Sequence, residues 1–137
     1  KEMPEGTVIL GSDTVVAADG KILGKPKSHE EAYEMIRRLA GRSHQVYTGV
    51  CLVKKGPEGE ADTVVSFYDE TDVNVSPMTE KEIREYADSE EPMDKAGSYA
   101  VQGFFARYID GLKGSYANVM GLPVHLVYQE LKKLGAL

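Results

Sequence analysis

Thr7-Val8-Ile9-Leu10-Gly11-Ser12-Asp13-Thr14-Val15-Val16-Ala17-Ala18-Asp19-Gly20-Lys21-Ile22-Leu23 is the stretch that decides the fold. Residues 7–10 have the apolar continuity of a buried strand, which halts at the polar break Gly11-Ser12-Asp13. Residues 14–18 resume it, and Asp19-Gly20 ahead of Lys21-Ile22-Leu23 is the two-residue signal of a type I′ hairpin turn. Gly24-Lys25-Pro26 closes the hairpin. Ser28-His29-Glu30-Glu31 then forms a capping box, in which Ser28 accepts from the third amide of a new helix and Glu31 reaches back. Ala32, Tyr33, Met35, Ile36, Leu39 and Ala40 recur at helical spacing, and Gly41 supplies the left-handed residue that ends the helix.

Working outward, residues 46–53 read as a second strand, residues 54–59 as a connection rich in turn formers, and residues 63–75 as the returning arm. Thr79-Glu80-Lys81-Glu82 is another capping box, opening a helix that turns Ile83, Tyr86 and Ala87 inward. The aromatic-rich residues 104–109 are a strand candidate, and residues 122–134 a helix with Pro123 in its first turn and an apolar stripe of Leu126, Val127, Leu131 and Leu134. Strands interleaved with helices predict an α/β domain, a mixed sheet flanked by helices, and exclude all-helical and all-β folds. No internal repeat interrupts this order.

The chain has 137 residues, 42% of them apolar and 28% charged, the size and balance of one globular domain. With 16 Lys and Arg against 22 Asp and Glu the net charge is −6, and no basic run breaks the excess, which argues against nucleic acid as a partner. The single Cys51 can form neither an intrachain disulfide nor a cysteine-cluster metal site, which suits a reducing compartment and makes the cytoplasm the expected location. No apolar stretch approaches the ~20 residues of a membrane span, so no membrane partner is expected.

Four polar islands could carry chemistry. In Gly11-Ser12-Asp13-Thr14, an Asp after a buried strand and near a Gly is placed to hold a metal or a water, or simply to cap a turn. Lys25 in Gly24-Lys25-Pro26 offers a compact positive charge, useful against phosphate or ordinary in a solvated loop. Residues 94–103 place Lys95, Tyr99 and Gln102 among small residues, a loop that either converges on a ligand or makes tight turns. Residues 114–123 feed the last helix, whose N-terminus suits an anion or needs only a cap. Other residues read as structural. His29, His44 and His125 lack any zinc spacing and are expected at the surface or partly packed, Cys51 as a small core residue, and Asp88, Glu90 and Glu91 as a solvated helix end. Tyr68, Tyr86 and Tyr108 are expected as packed rings.

Taken in order, Gly-Ser-Asp-Thr-Val-Val at 11–16, Gly-Lys-Pro at 24–26, Leu-Ala-Gly-Arg-Ser-His-Gln-Val-Tyr-Thr-Gly-Val at 39–50, Glu-Pro-Met-Asp-Lys-Ala-Gly-Ser-Tyr-Ala-Val-Gln-Gly at 91–103 and Asn-Val-Met-Gly-Leu-Pro at 118–123 resemble the Maf family of nucleoside triphosphate pyrophosphatases. Five ordered motifs are far more specific than any one island. The resemblance implies a fold similar to the inosine triphosphate pyrophosphatases, a substrate cleft between two lobes, dependence on a divalent metal such as Mg or Mn, cytoplasmic location and a possible homodimer. It also implies that Asp13 is the catalytic acid/base position, and that Thr14 and Gln102 look like the subgroup acting on dTTP and UTP.

The expected reaction splits a nucleoside triphosphate between its α and β phosphates. Asp13 would bind the metal or deprotonate the attacking water, Lys25 and Lys95 would neutralise phosphate oxygens, and Thr14 and Gln102 would read the base. A nucleotide-binding regulator of septum formation with weak or no catalysis is the alternative, and a triphosphate-cleaning enzyme without pyrimidine preference a third. The family's Ser-x-Ser-Pro-Arg-Arg phosphate loop has no counterpart in the sequence. The single domain at 1–137 is therefore expected to lack an N-terminal strand and that loop, and to leave an apolar cleft or a sheet edge uncovered.

Overall fold

In the computed structural model, which describes residues 3–137, strand β1 (Val8–Ala18) runs unbroken through Gly11-Ser12-Asp13. Lys1 and Glu2, the start of the expected 1–137 domain, lie outside the described residues. The break expected in this strand is absent because its ladder with β3 (Ser43–Lys54) continues across it, pairing Gly11 with Cys51, Ser12 with Val50 and Asp13 with Gly49. Residues 9–13 are exposed, so pairing them desolvates no polar side chain. The hairpin to β2 (Lys21–Leu23) turns at Asp19 and Gly20 with φ of 52° and 74°, the two positive values a type I′ turn needs.

Helix α1 (His29–Leu39) starts where Ser28 accepts from the Glu31 amide, while the Glu31 carboxylate accepts from the Lys27 amide at 2.9 Å, one residue earlier than a capping box would have it. Strand β4 (Thr63–Val75) has the expected bounds, and α2 (Glu80–Ala87) opens on the complete box of Thr79 and Glu82. The aromatic stretch departs from expectation. Phe104–Tyr108 is a 3₁₀ turn, and the last strand, β5, is Ile109–Lys113. Glu91 is the reason, since its carboxylate accepts from the amides of Phe104 (2.8 Å) and Phe105 (3.2 Å), capping a turn instead of leaving them to a ladder. A short helix absent from the sequence reading, α3 (Tyr116–Met120), is capped by Ser115, and α4 (Val124–Lys133) follows.

The sheet order is β2-β1-β3-β4-β5. The α/β class and the helix-flanked sheet are as expected; all four ladders are antiparallel, so the described strands contain no parallel pair. Register sorts the side chains into two faces. Val16, Val46 and Val73 share the face covered by α1, α2 and the residue 94–108 segment, and Val50 and Leu52 on the same face meet Val127 of α4. The other face is open, with Ile9, Val64 and Tyr68 exposed on it. Tyr68 is thus not a packed ring, and Cys51, half-buried on this open face, is not a core residue. Strand β2 pairs only with residues 16–18, which leaves the β1 edge at residues 8–15 unpaired on that side among the described residues. Among the described residues, no helix is long and apolar enough to cross a membrane.

Candidate active site

The floor of the site follows from the pleat of β1. Thr14 and Val16 face the covered side, Val46 lies beside them on β3, and residues 94–102 fold over them to enclose a cavity of about 290 Å³. Val119, Met120 and Gly121, at the end of α3, form the remaining wall.

Gly97 sets the approach of the covering segment. Its φ is 71°, and a Cβ there would come within 2.8 Å of the Val16 side chain. Its amide donates to the Gly24 carbonyl at 3.1 Å, which brings the chain neighbours Lys25 and Lys95 to one cavity rim. Ser98, at φ 69°, holds the left-handed region without being glycine, a strain of about 1–3 kcal/mol in such positions, and its buried hydroxyl donates to Met35 Sδ at 3.0 Å. Burial of the next residues offsets that strain. Tyr99 shares a 2.7 Å hydrogen bond between its hydroxyl and His44 Nε2, and its ring packs on Phe105 with centroids 4.9 Å apart.

His44 is completely buried on β3, contrary to the expected surface or partly packed histidine. Desolvation pushes its imidazole down to about 4, and its Nδ1 has no partner among the described residues. Burial likewise pushes the Tyr99 phenol up. At the far end of the segment Glu91 is an anchor, not part of a solvated helix end. Burial pushes its carboxyl up, but hydrogen bonds from the Tyr86 hydroxyl (2.6 Å) and the Phe104 and Phe105 amides outweigh this and hold it below its ordinary 4.5. A Cβ on Gly103 would collide with that carboxylate.

Thr14, Lys25, Lys95 and Gln102, far apart in sequence, all line this one cavity. Asp13 borders it too, but the pleat directs successive strand residues to opposite faces, and Asp13 also borders a shallow depression on the open face with Gly11, Gly49 and Cys51. Asp13 is exposed, and among the described residues no hydrogen bond or ion pair engages its carboxylate. Asp94 is a cavity residue that sequence reasoning missed. It accepts from Lys95 Nζ at 2.8 Å, and this bond, with further attraction from Lys95 and Lys25, holds its carboxyl below the usual range. Its place beside Lys95 was the only signal available.

Beneath the floor lies a buried polar knot, also unread in the sequence. Thr48, Thr71 and Asn118 are completely buried. Thr14 and Thr48 hydroxyls lie 2.8 Å apart, Thr48 donates to the Asn118 carbonyl (3.0 Å), Asn118 Nδ2 donates to Thr71 Oγ1 (2.9 Å), and Thr71 donates to the Ser115 carbonyl (3.0 Å). These bonds tie α3 to the sheet and so fix the cavity wall.

Whether the cavity suits a divalent cation can be judged from its donors. Among the described residues, Asp13 and Asp94 are its only carboxylates, and no group of three or more His, Cys, Asp or Glu could hold a metal alone. Mg²⁺ commonly takes one or two carboxylates and completes its shell with phosphate oxygens and water, so these residues fit a cation that arrives with a phosphorylated ligand.

The cavity on this α/β fold thus presents two lysines, an amide and a hydroxyl on its lining, groups of the kind that can engage a phosphorylated molecule. The sequence matches the Maf-like protein family over residues 1–134, and the chain belongs to that family. It is 51% identical over 135 residues to a dTTP/UTP pyrophosphatase of Agathobacter rectalis, an alignment covering 96% of this chain and 64% of that protein. A dTTP/UTP pyrophosphatase of Lachnoclostridium phytofermentans is 47% identical over 135 residues, with 98% and 68% covered, and one of Carboxydothermus hydrogenoformans is 48% identical over 128 residues, with 93% and 67% covered. The chain thus spans about two thirds of the length of these relatives.

Proposed function

We propose that the protein hydrolyses nucleoside triphosphates, dTTP and UTP foremost, to the nucleoside monophosphate and pyrophosphate. The observation that carries this reading is the convergence of Thr14, Lys25, Lys95 and Gln102 on one cavity with Asp13 at its border. The names of the relatives point the same way.

In this mechanism the Asp13 carboxylate orients a water on the α phosphorus and takes its proton as the new O–P bond forms. The bond from the α phosphorus to the α,β-bridging oxygen breaks, and pyrophosphate leaves with its charge met by Lys25 and Lys95. Asp94 accepts from Lys95 Nζ at 2.8 Å at the cavity rim, a contact that biases where the exposed ammonium meets the leaving group. A divalent cation, bound through Asp13 and the phosphates, would supply charge neutralisation along the triphosphate. Gln102, with both a donor and an acceptor, and Thr14 read the pyrimidine edge.

Cytoplasmic action and a homodimer belong to the same proposal. The lone cysteine suits the reducing compartment of the first, and the open sheet face with exposed Ile9, Val64 and Tyr68 offers a surface for the second. Pyrophosphate release from a panel of nucleoside triphosphates with Mg²⁺ or Mn²⁺ tests the activity. Release greatest from dTTP and UTP is expected; tight binding without turnover would favour a regulator, and equal release from all nucleotides would remove the pyrimidine preference.

A further inference from the structure

Thr48 is an odd residue for its position. It is completely buried between β3 and α3, where a valine of the same shape would avoid burying a hydroxyl, and it lines no part of the cavity. Its two contacts nevertheless settle the direction of a proton. A hydroxyl carries one proton, and a carbonyl oxygen carries none. At the 3.0 Å contact with the Asn118 carbonyl only Thr48 can donate; with its proton elsewhere, two bare oxygens would face each other in a buried, low-dielectric site. The 2.8 Å contact between Thr48 and Thr14 must then be bridged by the proton of Thr14.

The same directionality is repeated one step deeper, where Thr71 gives its proton to the Ser115 carbonyl and accepts from Asn118 Nδ2. Asn118 Nδ2 also donates to the Val46 carbonyl at 3.2 Å, which fixes the amide's orientation and leaves Thr71 nothing to do but accept from it. The knot therefore has one proton arrangement, set by two backbone carbonyls of α3 and its cap, and Thr14 stands at its end.

Resting on the reading that the cavity takes a uracil or thymine nucleotide, we infer that Thr48 is a positioning residue for base selection: by consuming the proton of Thr14 it makes that hydroxyl an acceptor only. Uracil and thymine carry a donor at N3, whereas cytosine carries a lone pair there. A freely rotating hydroxyl would satisfy both. One locked as an acceptor rewards N3–H and opposes the cytosine lone pair. Gln102 does not make this choice by itself, because an amide offers a donor and an acceptor and can turn to present either.

The test measures binding of α,β-methylene analogues of UTP and CTP, with Mg²⁺, to the wild-type protein, Thr48→Val and Thr48→Ser. The uracil analogue binds better to wild type. In Thr48→Val the released Thr14 hydroxyl can donate, so the preference falls about tenfold, chiefly through tighter binding of the cytosine analogue, and Thr48→Ser restores it. An unchanged preference in Thr48→Val, or equal weakening toward both analogues, overturns the inference. A second measurement needs no variant: the corresponding 3-deazauridine analogue, with C–H in place of N3–H, binds wild type about tenfold more weakly than the UTP analogue, and equal binding again overturns the inference. Pyrophosphate release from UTP is scored separately. A protein that turns over UTP but ignores N3 refutes the proton assignment alone, and one that selects uracil without turnover refutes the hydrolytic reading alone.

Discussion

Acid should loosen this fold through one residue. The His44 imidazole has an ordinary pKa of 6.5 and is held at about 4 in the folded protein by desolvation alone. Because the folded value is depressed, unfolding takes up a proton when the pH lies between about 4 and 6.5. The stability His44 contributes as a neutral ring is fully present above that value and drains away as pH falls through 6.5 toward 4. Between pH 7 and pH 5 the unfolded chain becomes almost fully protonated at this site while the folded one stays neutral, a loss of about 2 kcal/mol. That is a large share of the ~5–15 kcal/mol that holds a typical domain together. The first structure to suffer should be the cavity cover, since His44 Nε2 holds the Tyr99 hydroxyl at 2.7 Å. Urea unfolding at pH 7 and pH 5 measures the loss in the wild type and in His44→Gln, whose amide can still reach Tyr99 but does not titrate. The variant is expected to lose about 2 kcal/mol less than the wild type over this interval. Equal losses in the two proteins would refute the assignment to His44.

Three substitutions probe the site directly. Asp13→Asn is expected to lower turnover by about 10²–10⁴-fold, the usual worth of a positioned base, while its far-ultraviolet circular dichroism stays that of the wild type; normal turnover would remove Asp13 from the chemistry. Gln102→Glu should alter the ranking of nucleotides in steady-state assays, and a uniform decrease for all of them would deny Gln102 a part in recognition. Gly97→Ala forces a Cβ to within 2.8 Å of Val16 at φ 71° and should cost about 1–3 kcal/mol in thermal or urea unfolding, with weaker triphosphate binding as Lys95 moves from Lys25; full stability would contradict the close approach.

Local signals were legible wherever a short stretch of sequence determines its own geometry. Asp19-Gly20 specified a turn that needs two positive φ values, Thr79 and Glu82 specified a helix start, and alternation specified the arm at Thr63–Val75. Failures came where a distant partner decides. Gly11-Ser12-Asp13 resembles a break until β3 supplies a ladder for it, and the aromatics at Phe104–Tyr108 resemble a strand until Glu91 takes their amides. Thr48 and Asn118 look like ordinary polar residues in sequence, and only the packing of α3 on the sheet buries them together, while His44 is buried against Tyr99 of the covering segment. The candidate site residues were marked out by their motifs. Their sharing of one cavity depends on the Gly97 to Gly24 hydrogen bond, a contact between segments more than seventy residues apart, and no local pattern announces it.

Attack of water on the α phosphorus can be read from the hydrolysis of UTP in ¹⁸O-labelled water. Mass spectrometry of the products is expected to find one labelled oxygen in the uridine monophosphate and none in the pyrophosphate. Label in the pyrophosphate, or release of orthophosphate as the first product, would contradict it.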